Sequence, residues 1–187
     1  MSTLENRDGT ALLVIDMQNA VLADAYIVET VTKNIATLVE RAREAKTPVI
    51  WIQHSDEELV FGTKEWEIIP ELIPRESEAL IAKNYGDSFE ATELETVLAA
   101  ALVGHLVVAG AESDACVRST IHGAFTRGYD VTLVADAHTA GDRSAWGAPE
   151  PAAVIAHMNL YWQFQNAPGR TAAVAKTAEL GFGTTLS

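Results

Sequence analysis

Short apolar runs alternate with amphipathic segments along this chain, and this alternation constrains the fold more than any other feature. Six runs have the composition of buried strands, at residues 11–16, 49–52, 79–83, 105–110, 129–135 and 171–175. Four segments have helical apolar spacing, at residues 27–46, 91–103, 114–127 and 150–165. Apolar strands joined through helices are typical of a parallel sheet covered on both faces. We therefore expect an α/β fold, a three-layer αβα sandwich with right-handed crossovers.

The segments between these elements carry their own signals. Residues 54–79 lack sustained periodicity and contain turn formers, charges and two prolines, so we expect a long functional loop that carries a lid or a pocket. Thr92 and Glu95 have the spacing of a capping box at the start of the helix predicted over 91–103. Gly128 follows the helix predicted over 114–127, as a C-terminal glycine does.

Composition limits the classes of protein and partner. With 187 residues, 48% of them hydrophobic, the chain can bury one core, which predicts a single domain. The 26 acidic residues against 13 basic ones argue against binding to nucleic acid or to an anionic membrane surface. No signal peptide or spanning segment is evident. The single cysteine cannot form an internal disulfide, so we expect a cytoplasmic location.

Polar residues follow the predicted strands. Asp16 ends the first strand, His54 follows the second, Lys83 ends the third, and a turn leading to Cys116 follows the fourth. In open parallel sheets, ligands bind beyond the carboxyl ends of the strands. The sequence therefore predicts a functional site at this edge of the sheet.

Cys116 has two readings. A buried cysteine is commonly a small apolar core residue. However, Cys116 is predicted in the first turn of a helix that opens near Asp114. Unpaired N–H groups and the positive helix end lower the pKa of a thiol there, and the same N–H groups can receive a developing oxyanion. This position favours a nucleophile with a depressed pKa.

A nucleophilic cysteine needs a base. His105 and His122 are poorly placed for this role, because one begins a strand and the other lies well along the helix after Cys116. Asp16 is better placed, although an aspartate there also suits a cap. Lys83 is either a solvated edge residue or the cation that tunes that carboxylate. An Asp–Lys–Cys cluster would let the carboxylate accept the thiol proton.

Three segments together resemble the signature blocks of the isochorismatase-like cysteine hydrolase family, whose relatives include nicotinamidase and N-carbamoylsarcosine amidohydrolase. They are Leu13-Val-Ile-Asp-Met-Gln18, Ala82-Lys-Asn-Tyr-Gly-Asp-Ser-Phe89 and Val108-Ala-Gly-Ala-Glu-Ser-Asp-Ala-Cys-Val117. Residues 123–136 are similar to the family's helix and strand after the nucleophile. The resemblance implies one domain over residues 1–187 with its core at about 10–176. It also implies a Rossmann-like parallel sheet of six strands in the order 3-2-1-4-5-6.

The resemblance also implies the roles of particular residues. The family's catalytic triad falls on Asp16, Lys83 and Cys116. A cis peptide precedes the nucleophile in the family and would be Ala111–Glu112 here, with the backbone N–H groups of Glu112 and Cys116 as the oxyanion hole. Family members also suggest a homodimer or a higher homo-oligomer.

Two departures from well-known members narrow the expected chemistry. Nicotinamidases hold a metal with an aspartate and several histidines after the second strand. Here that loop offers His54 and Asp56 and no further histidine before His105, so we expect no metal and no cofactor. Isochorismatases proper typically lack the nucleophilic cysteine that this chain has. We therefore expect a hydrolase that cleaves a small amide, carbamoyl or hydrazide substrate through a cysteine thioester.

Two alternatives stay open. One is an isochorismatase-type hydrolase of another small metabolite, and the other is a non-catalytic member that binds a ligand or senses oxidants through its thiol. Candidate pocket residues lie near the strand ends or in the long loop, with ordinary packing as the competing reading. They are Gln18, Trp51, His54, Phe61, Trp66, Phe89, Ser113 and His138. The Glu112 charge would oppose thiolate formation, so its side chain is expected to point away or to contact substrate, and Trp162 and Phe164 are candidates for a subunit contact.

Overall fold

The computed structural model describes residues 2–182 and contains a seven-stranded sheet in the order β3-β2-β1-β4-β5-β7-β6. The strands are β1 (Gly9–Ile15), β2 (Val49–His54), β3 (Ala79–Lys83), β4 (Val103–Ala111), β5 (Asp130–Thr139), β6 (Asn166–Ala167) and β7 (Arg170–Ala175). All neighbouring pairs are parallel except β6 with β7. The predicted α/β class and strand order are confirmed, with the predicted sixth strand observed as β7. The added strand, β6, has only two residues, too few to show a period.

Helices cover both faces of this sheet. They are α1 (Asn19–Leu22), α2 (Val28–Glu44), α3 (Leu94–Ala100), α4 (Arg118–Arg127) and α5 (Pro151–Gln163). One apolar layer packs beneath α3, α4 and α5, and a second packs beneath α2. Trp162 is fully buried in the first layer and donates a hydrogen bond to the Val131 carbonyl, so the prediction that it forms a subunit contact is wrong, whereas Phe164 is exposed.

Two local predictions about helix ends had different outcomes. Gly128 ends α4 in the left-handed conformation with φ 110°, as predicted. The capping box at α3 is wrong, because α3 begins after Glu93 and has no side-chain cap. The Glu95 carboxylate instead accepts hydrogen bonds from Arg7 and from the Tyr129 hydroxyl. Thr92 Oγ1 accepts from the Leu94 N–H, but Glu95 is engaged by these long-range partners and does not complete the box.

The segment between β2 and β3 contains no helix or strand within the described residues, as predicted for a long loop. Gln18, three residues after the end of β1, attaches this loop to the sheet. Its side-chain amide donates to the carbonyl oxygens of His54 and Trp66 and accepts from the His54 N–H. Among residues 2–182, no helix is long and apolar enough to cross a membrane.

Candidate active site

Three reactive side chains meet at the carboxyl edge of the sheet. Asp16 directly follows β1 and has a left-handed backbone with φ 47°, a conformation that a residue other than glycine adopts only at a cost. Lys83 is the last residue of β3. Cys116 lies in a π-helical turn, Ser113–Val117, between β4 and α4. Gly110 lets β4 approach β1 closely, because a Cβ there would lie 2.1 Å from the Ile15 carbonyl oxygen.

The Lys83 ammonium group joins this cluster. Its Nζ lies 2.7 Å from Asp16 Oδ2 and 3.2 Å from Cys116 Sγ. The third neighbour is His54 Nδ1, also at 3.2 Å, and His54 is the register partner of Lys83 on the adjacent strand. An ammonium group has three N–H donors and no acceptor, so these three acceptors use all of them. Lys83 is therefore a buried, fully engaged cation and not a solvated edge residue.

Asp16 is a buried carboxylate. Burial raises its pKa above the usual value and outweighs the opposing effects of the Lys83 charge, Cys116 and His54. Besides the Lys83 ammonium group, its side-chain partner is the Cys116 thiol. A buried carboxylate that has a raised pKa and contacts a thiol is suited to accept the thiol proton.

Burial, the largest cause, and the Asp16 charge together raise the pKa of the Cys116 thiol to about 12, against the opposing effect of Lys83. The expectation of a depressed thiol pKa is therefore wrong. The physical reason is that desolvation of a half-buried sulfur beside a carboxylate exceeds the benefit of the helix end and of the lysine. A thiol with this pKa is neutral at neutral pH, so it would need a nearby base before it could act as a nucleophile.

The peptide bond that precedes the π-helical turn by one residue, Ala111–Glu112, is cis, as the family resemblance implies. The Glu112 carboxylate accepts a hydrogen bond from Gly141 N–H at 3.0 Å and pairs with the Arg143 guanidinium. The Glu112 charge is therefore engaged by the segment that follows β5. This arrangement ties the residue before the π-helical turn to the opposite wall of the site.

Comparison with known proteins decides the family. Residues 10–158 match the isochorismatase domain. A secreted isochorismatase effector, Isc1, from Verticillium dahliae is 32% identical over 154 residues, which cover 78% of this chain and 79% of that protein. The chain belongs to the isochorismatase family.

Solved structures agree with this isochorismatase-family assignment. An isochorismatase from Pseudomonas putida KT2440 superposes with a TM-score of 0.78 at 28% identity, covering 90% of this chain and 88% of that one. A cysteine hydrolase from Pseudomonas syringae pv. phaseolicola 1448A shares the fold with a TM-score of 0.79 at 24% identity, covering 90% and 89% of the two chains. Family membership supports a hydrolase at the level of general activity.

In this isochorismatase-family chain, an open cleft of about 470 Å³ adjoins the cluster, and His54 and Glu112 belong to its lining. Carboxylates outnumber cations in that lining. The acidic residues are Asp24, Asp56, Glu58, Glu112 and Asp142, and the cation of the lining is Arg143. Hydrogen bonds from backbone N–H groups hold the pKa values of Asp56 and Asp142 below their usual range. The cleft is consequently negative at neutral pH.

The predicted pocket residues fall into three groups. The first group is His54, which lines the cleft. The second is Phe61 and Trp66, a ring pair in the long loop with centroids 4.6 Å apart. The third consists of buried residues. Four others are buried within the protein, namely Gln18, Trp51, Ser113 and His138, and Phe89 packs in the core against Tyr129. Trp51 donates its indole N–H to Glu78 and does not line the cleft. Buried packing therefore accounts for Trp51 and Phe89.

Sequence reasoning missed the segment after β5. Gly141, Asp142, Arg143 and Trp146 line the cleft, although the predicted fifth strand ended at residue 135. The strand continues to Thr139 through an irregular register, which carries these residues to the carboxyl edge. A strand extended through Asp136-Ala-His-Thr139 would have pointed to them. Within residues 2–182, no group of three or more His, Cys, Asp and Glu side chains is arranged to hold a metal ion.

Proposed function

We propose that the chain is a cysteine hydrolase that cleaves a small amide-like substrate through a thioester on Cys116. One observation carries the proposal, namely that the buried Lys83 ammonium contacts both Asp16 and Cys116. A buried cation that contacts both groups stays paired with the negative charge as that charge moves from the carboxylate to the sulfur.

The first half of the reaction forms the thioester. Asp16 takes the thiol proton while Cys116 Sγ bonds to the substrate carbonyl carbon, and the negative charge moves to the carbonyl oxygen. The backbone N–H groups of Glu112 and Cys116 are proposed to bind that oxyanion. Asp16 then returns the proton to the substrate nitrogen, the C–N bond breaks, and ammonia or an amine leaves.

The second half regenerates the thiol. Asp16 takes a proton from water, the hydroxyl oxygen bonds to the thioester carbon, and the C–S bond breaks to release a carboxylic acid or a carbamic acid. The proton on Asp16 returns to the sulfur. The raised pKa values of both Asp16 and Cys116 support this cycle, because a neutral resting thiol requires a base that transfers its proton during attack.

Two observations disfavour the alternatives. A redox sensor uses a thiolate with a low pKa, whereas burial raises the pKa of Cys116 to about 12. Isochorismate is a dicarboxylate, and the cleft lined by His54 and Glu112 has an excess of carboxylates over cations. A neutral or cationic amide therefore suits the cleft better than a dianion does.

The direct test is a panel of small amides, carbamoyl compounds and hydrazides incubated with purified protein, with released ammonia, amine or hydrazine as the readout. Wild type is expected to hydrolyse at least one of them, and Cys116→Ala and Cys116→Ser are expected to lose that turnover. Undiminished turnover in Cys116→Ala would contradict the proposal. Isochorismate, included in the panel, tests the alternative of an isochorismatase-type hydrolase.

Location and assembly belong to the same proposal. We keep a cytoplasmic location and a homo-oligomer as proposals, although the relative from Verticillium dahliae is named as secreted. The exposed apolar side chains of Leu160 and Phe164, on and just after α5, support a contact between copies. Light scattering on wild type and on a Leu160→Glu, Phe164→Glu double variant would test it, since an oligomer is expected only for wild type.

A further inference from the structure

A chain of hydrogen bonds runs beneath the nucleophile turn and is not used by the proposed triad. Ser113, the first residue of the π-helical turn, has its Oγ 2.7 Å from His138 Nδ1 on β5. His138 Nε2 lies 3.1 Å from Asn159 Oδ1 on α5. The Asn159 amide nitrogen donates to the Ala135 carbonyl at 3.0 Å. The chain therefore connects three separate elements of the fold.

The direction of each hydrogen bond in this chain can be assigned by starting from its Asn159 end. Because the Asn159 amide nitrogen donates to Ala135, its oxygen faces His138 and must accept from Nε2–H. The neutral imidazole then has an acceptor at Nδ1, so the Ser113 hydroxyl donates to it. Burial lowers the pKa of His138, which agrees with a neutral ring.

Ser113, His138 and Asn159 have the order of a nucleophile, a base and an orienting amide. However, Ser113 has 0% and His138 1% of its surface exposed, so neither side chain can reach a substrate in the cleft. A fully buried serine that donates to a fixed imidazole holds its own backbone in place. We call the hydrogen-bonded chain Ser113–His138–Asn159 the tether. Ser113 lies between Glu112 and Cys116, the two residues whose N–H groups are proposed to hold the oxyanion.

We propose that Ser113, His138 and Asn159 are positioning residues that hold the nucleophile turn in its active geometry. His138 is the register partner of Gly110 next to the irregularity between β4 and β5, so the tether fixes the end of β4 as well as the turn. Its consequence for catalysis rests on the proposed cysteine hydrolase activity. Loss of the tether lowers the rate of the chemical step and leaves substrate binding in the cleft intact.

The test compares two serine-to-alanine variants. Ser113→Ala removes the tether, and Ser88→Ala is the matched control, because Ser88 is equally buried and its Oγ lies 2.8 Å from Thr120 Oγ1, away from the turn. Hydrogen exchange of the amides in residues 112–117 is expected to be about tenfold faster in Ser113→Ala than in Ser88→Ala. On an amide that wild type hydrolyses, kcat is expected to fall about tenfold with KM within twofold, in Ser113→Ala alone.

A second variant guards against a folding defect at Ser113. Asn159→Leu removes the far end of the tether and is expected to change exchange and kcat in the same direction. Equal exchange in the two serine variants, or a ring nitrogen NMR spectrum with the His138 proton on Nδ1, would overturn the proposal. If exchange and tautomer are as expected but wild type hydrolyses no amide, the proposed function fails and the tether stands. If wild type is active and Ser113→Ala matches Ser88→Ala in kcat, the catalytic role of the tether fails alone.

Discussion

The two ends of strand β3 each present a carboxylate paired with a cation, and the two pairs have opposite properties. At the carboxyl end, Asp16 Oδ2 lies 2.7 Å from Lys83 Nζ. At the amino end, Glu78 Oε1 lies 2.7 Å from Arg43 Nε. Burial raises the pKa of Asp16, whereas the pKa of Glu78 is lowered to about 2 although burial alone would raise it.

The difference lies in the number of donors that each carboxylate receives. Glu78 accepts from two nitrogens of Arg43, from the Trp51 indole and from the Arg75 backbone N–H. Among the residues that the structure describes, Asp16 has only two side-chain hydrogen-bond partners, the Lys83 ammonium group and the Cys116 thiol. A carboxylate that accepts four hydrogen bonds holds its charge and stabilises the fold, whereas one with fewer donors can take up a proton. Similar pairs thus serve different purposes at opposite edges of the sheet.

The largest expected effect is on catalysis and comes from replacing Asp16, the carboxylate with fewer hydrogen-bond donors. Asp16→Asn removes the proposed base and is expected to lower kcat/KM for a hydrolysed amide by about 10²–10⁴-fold. Steady-state kinetics measure this, with circular dichroism as a check on folding. Glu78→Gln is the matched control and should remain within about threefold of wild type. Similar losses in both variants would mean that the two pairs do not differ in role.

The second largest effect is on the free energy of unfolding. Here the change at Glu78 matters, whereas for kcat/KM the change at Asp16 does. Glu78→Gln weakens four hydrogen bonds around one carboxylate and is expected to lower the free energy of unfolding by roughly 1–3 kcal/mol. Urea unfolding at pH 7 measures it. An unchanged transition midpoint would show that the Arg43 pair contributes nothing measurable.

The same pair predicts a pH dependence with a definite sign. Because the folded pKa of Glu78 is lowered from 4.5 to about 2, its contribution is fully present above about 4.5 and is lost as the pH falls through about 2. The stability difference between wild type and Glu78→Gln should therefore narrow as the pH falls below about 4.5. Urea unfolding at pH 7, 5, 4 and 3 checks this, and a difference that widens in acid would contradict it.

The active-site pair makes a prediction about thiol reactivity. After burial, the Asp16 charge is the largest influence that raises the pKa of Cys116, so Asp16→Asn should move the pH profile of iodoacetamide labelling to lower pH. Because only the thiolate reacts, labelling at a fixed pH below the midpoint should become about tenfold faster if the thiol pKa falls by one. Cys116 is the only cysteine in the chain, so mass spectrometry reads the reaction without ambiguity. Glu78→Gln should match wild type, and a profile that moves to higher pH in Asp16→Asn would refute the assignment.

The smallest expected effect is substrate charge selectivity in the cleft. The excess of carboxylates predicts that 4-aminobutanamide is hydrolysed several-fold faster than succinamic acid of the same length, compared as kcat/KM. Neutral butanamide should lie between them, and the ratio should shrink in high salt. A preference for the anionic amide would indicate that Arg143 is available to substrate despite its pairing with Glu112.

Much of this arrangement could be predicted from the sequence, because parallel strands end at a common edge. Asp16, Lys83 and Cys116 stand at the ends of three apolar runs, and that alone predicts that they lie near one another. The thiol pKa could not be predicted, because it depends on burial and on the distance to Asp16, which local helix position does not reveal. The four hydrogen bonds to Glu78 could not be predicted from the sequence either, because their donors come from residues 3 to 35 positions away.

The same limit explains the misassigned residues. Trp51 and Phe89 are plausible pocket aromatics by position. However, Trp51 lies on β2, whose two faces both enter the core, and Phe89 lies in the turn after β3 and packs against Tyr129. The cleft residues Gly141 to Trp146 follow a strand whose irregular register obscured its true end. Short-range patterns predicted the elements, and long-range packing decided which loop completed the site.

The most direct test of the account is to trap the acyl group on Cys116. Wild type is mixed with the best amide from the panel, quenched in acid during turnover, and digested for mass spectrometry. The account predicts that the peptide containing Cys116 gains the mass of the substrate's acyl group, and that Asp16→Asn and Cys116→Ser accumulate no such thioester. Continued ammonia release with no acylated Cys116 peptide, undiminished in Cys116→Ser, would contradict it.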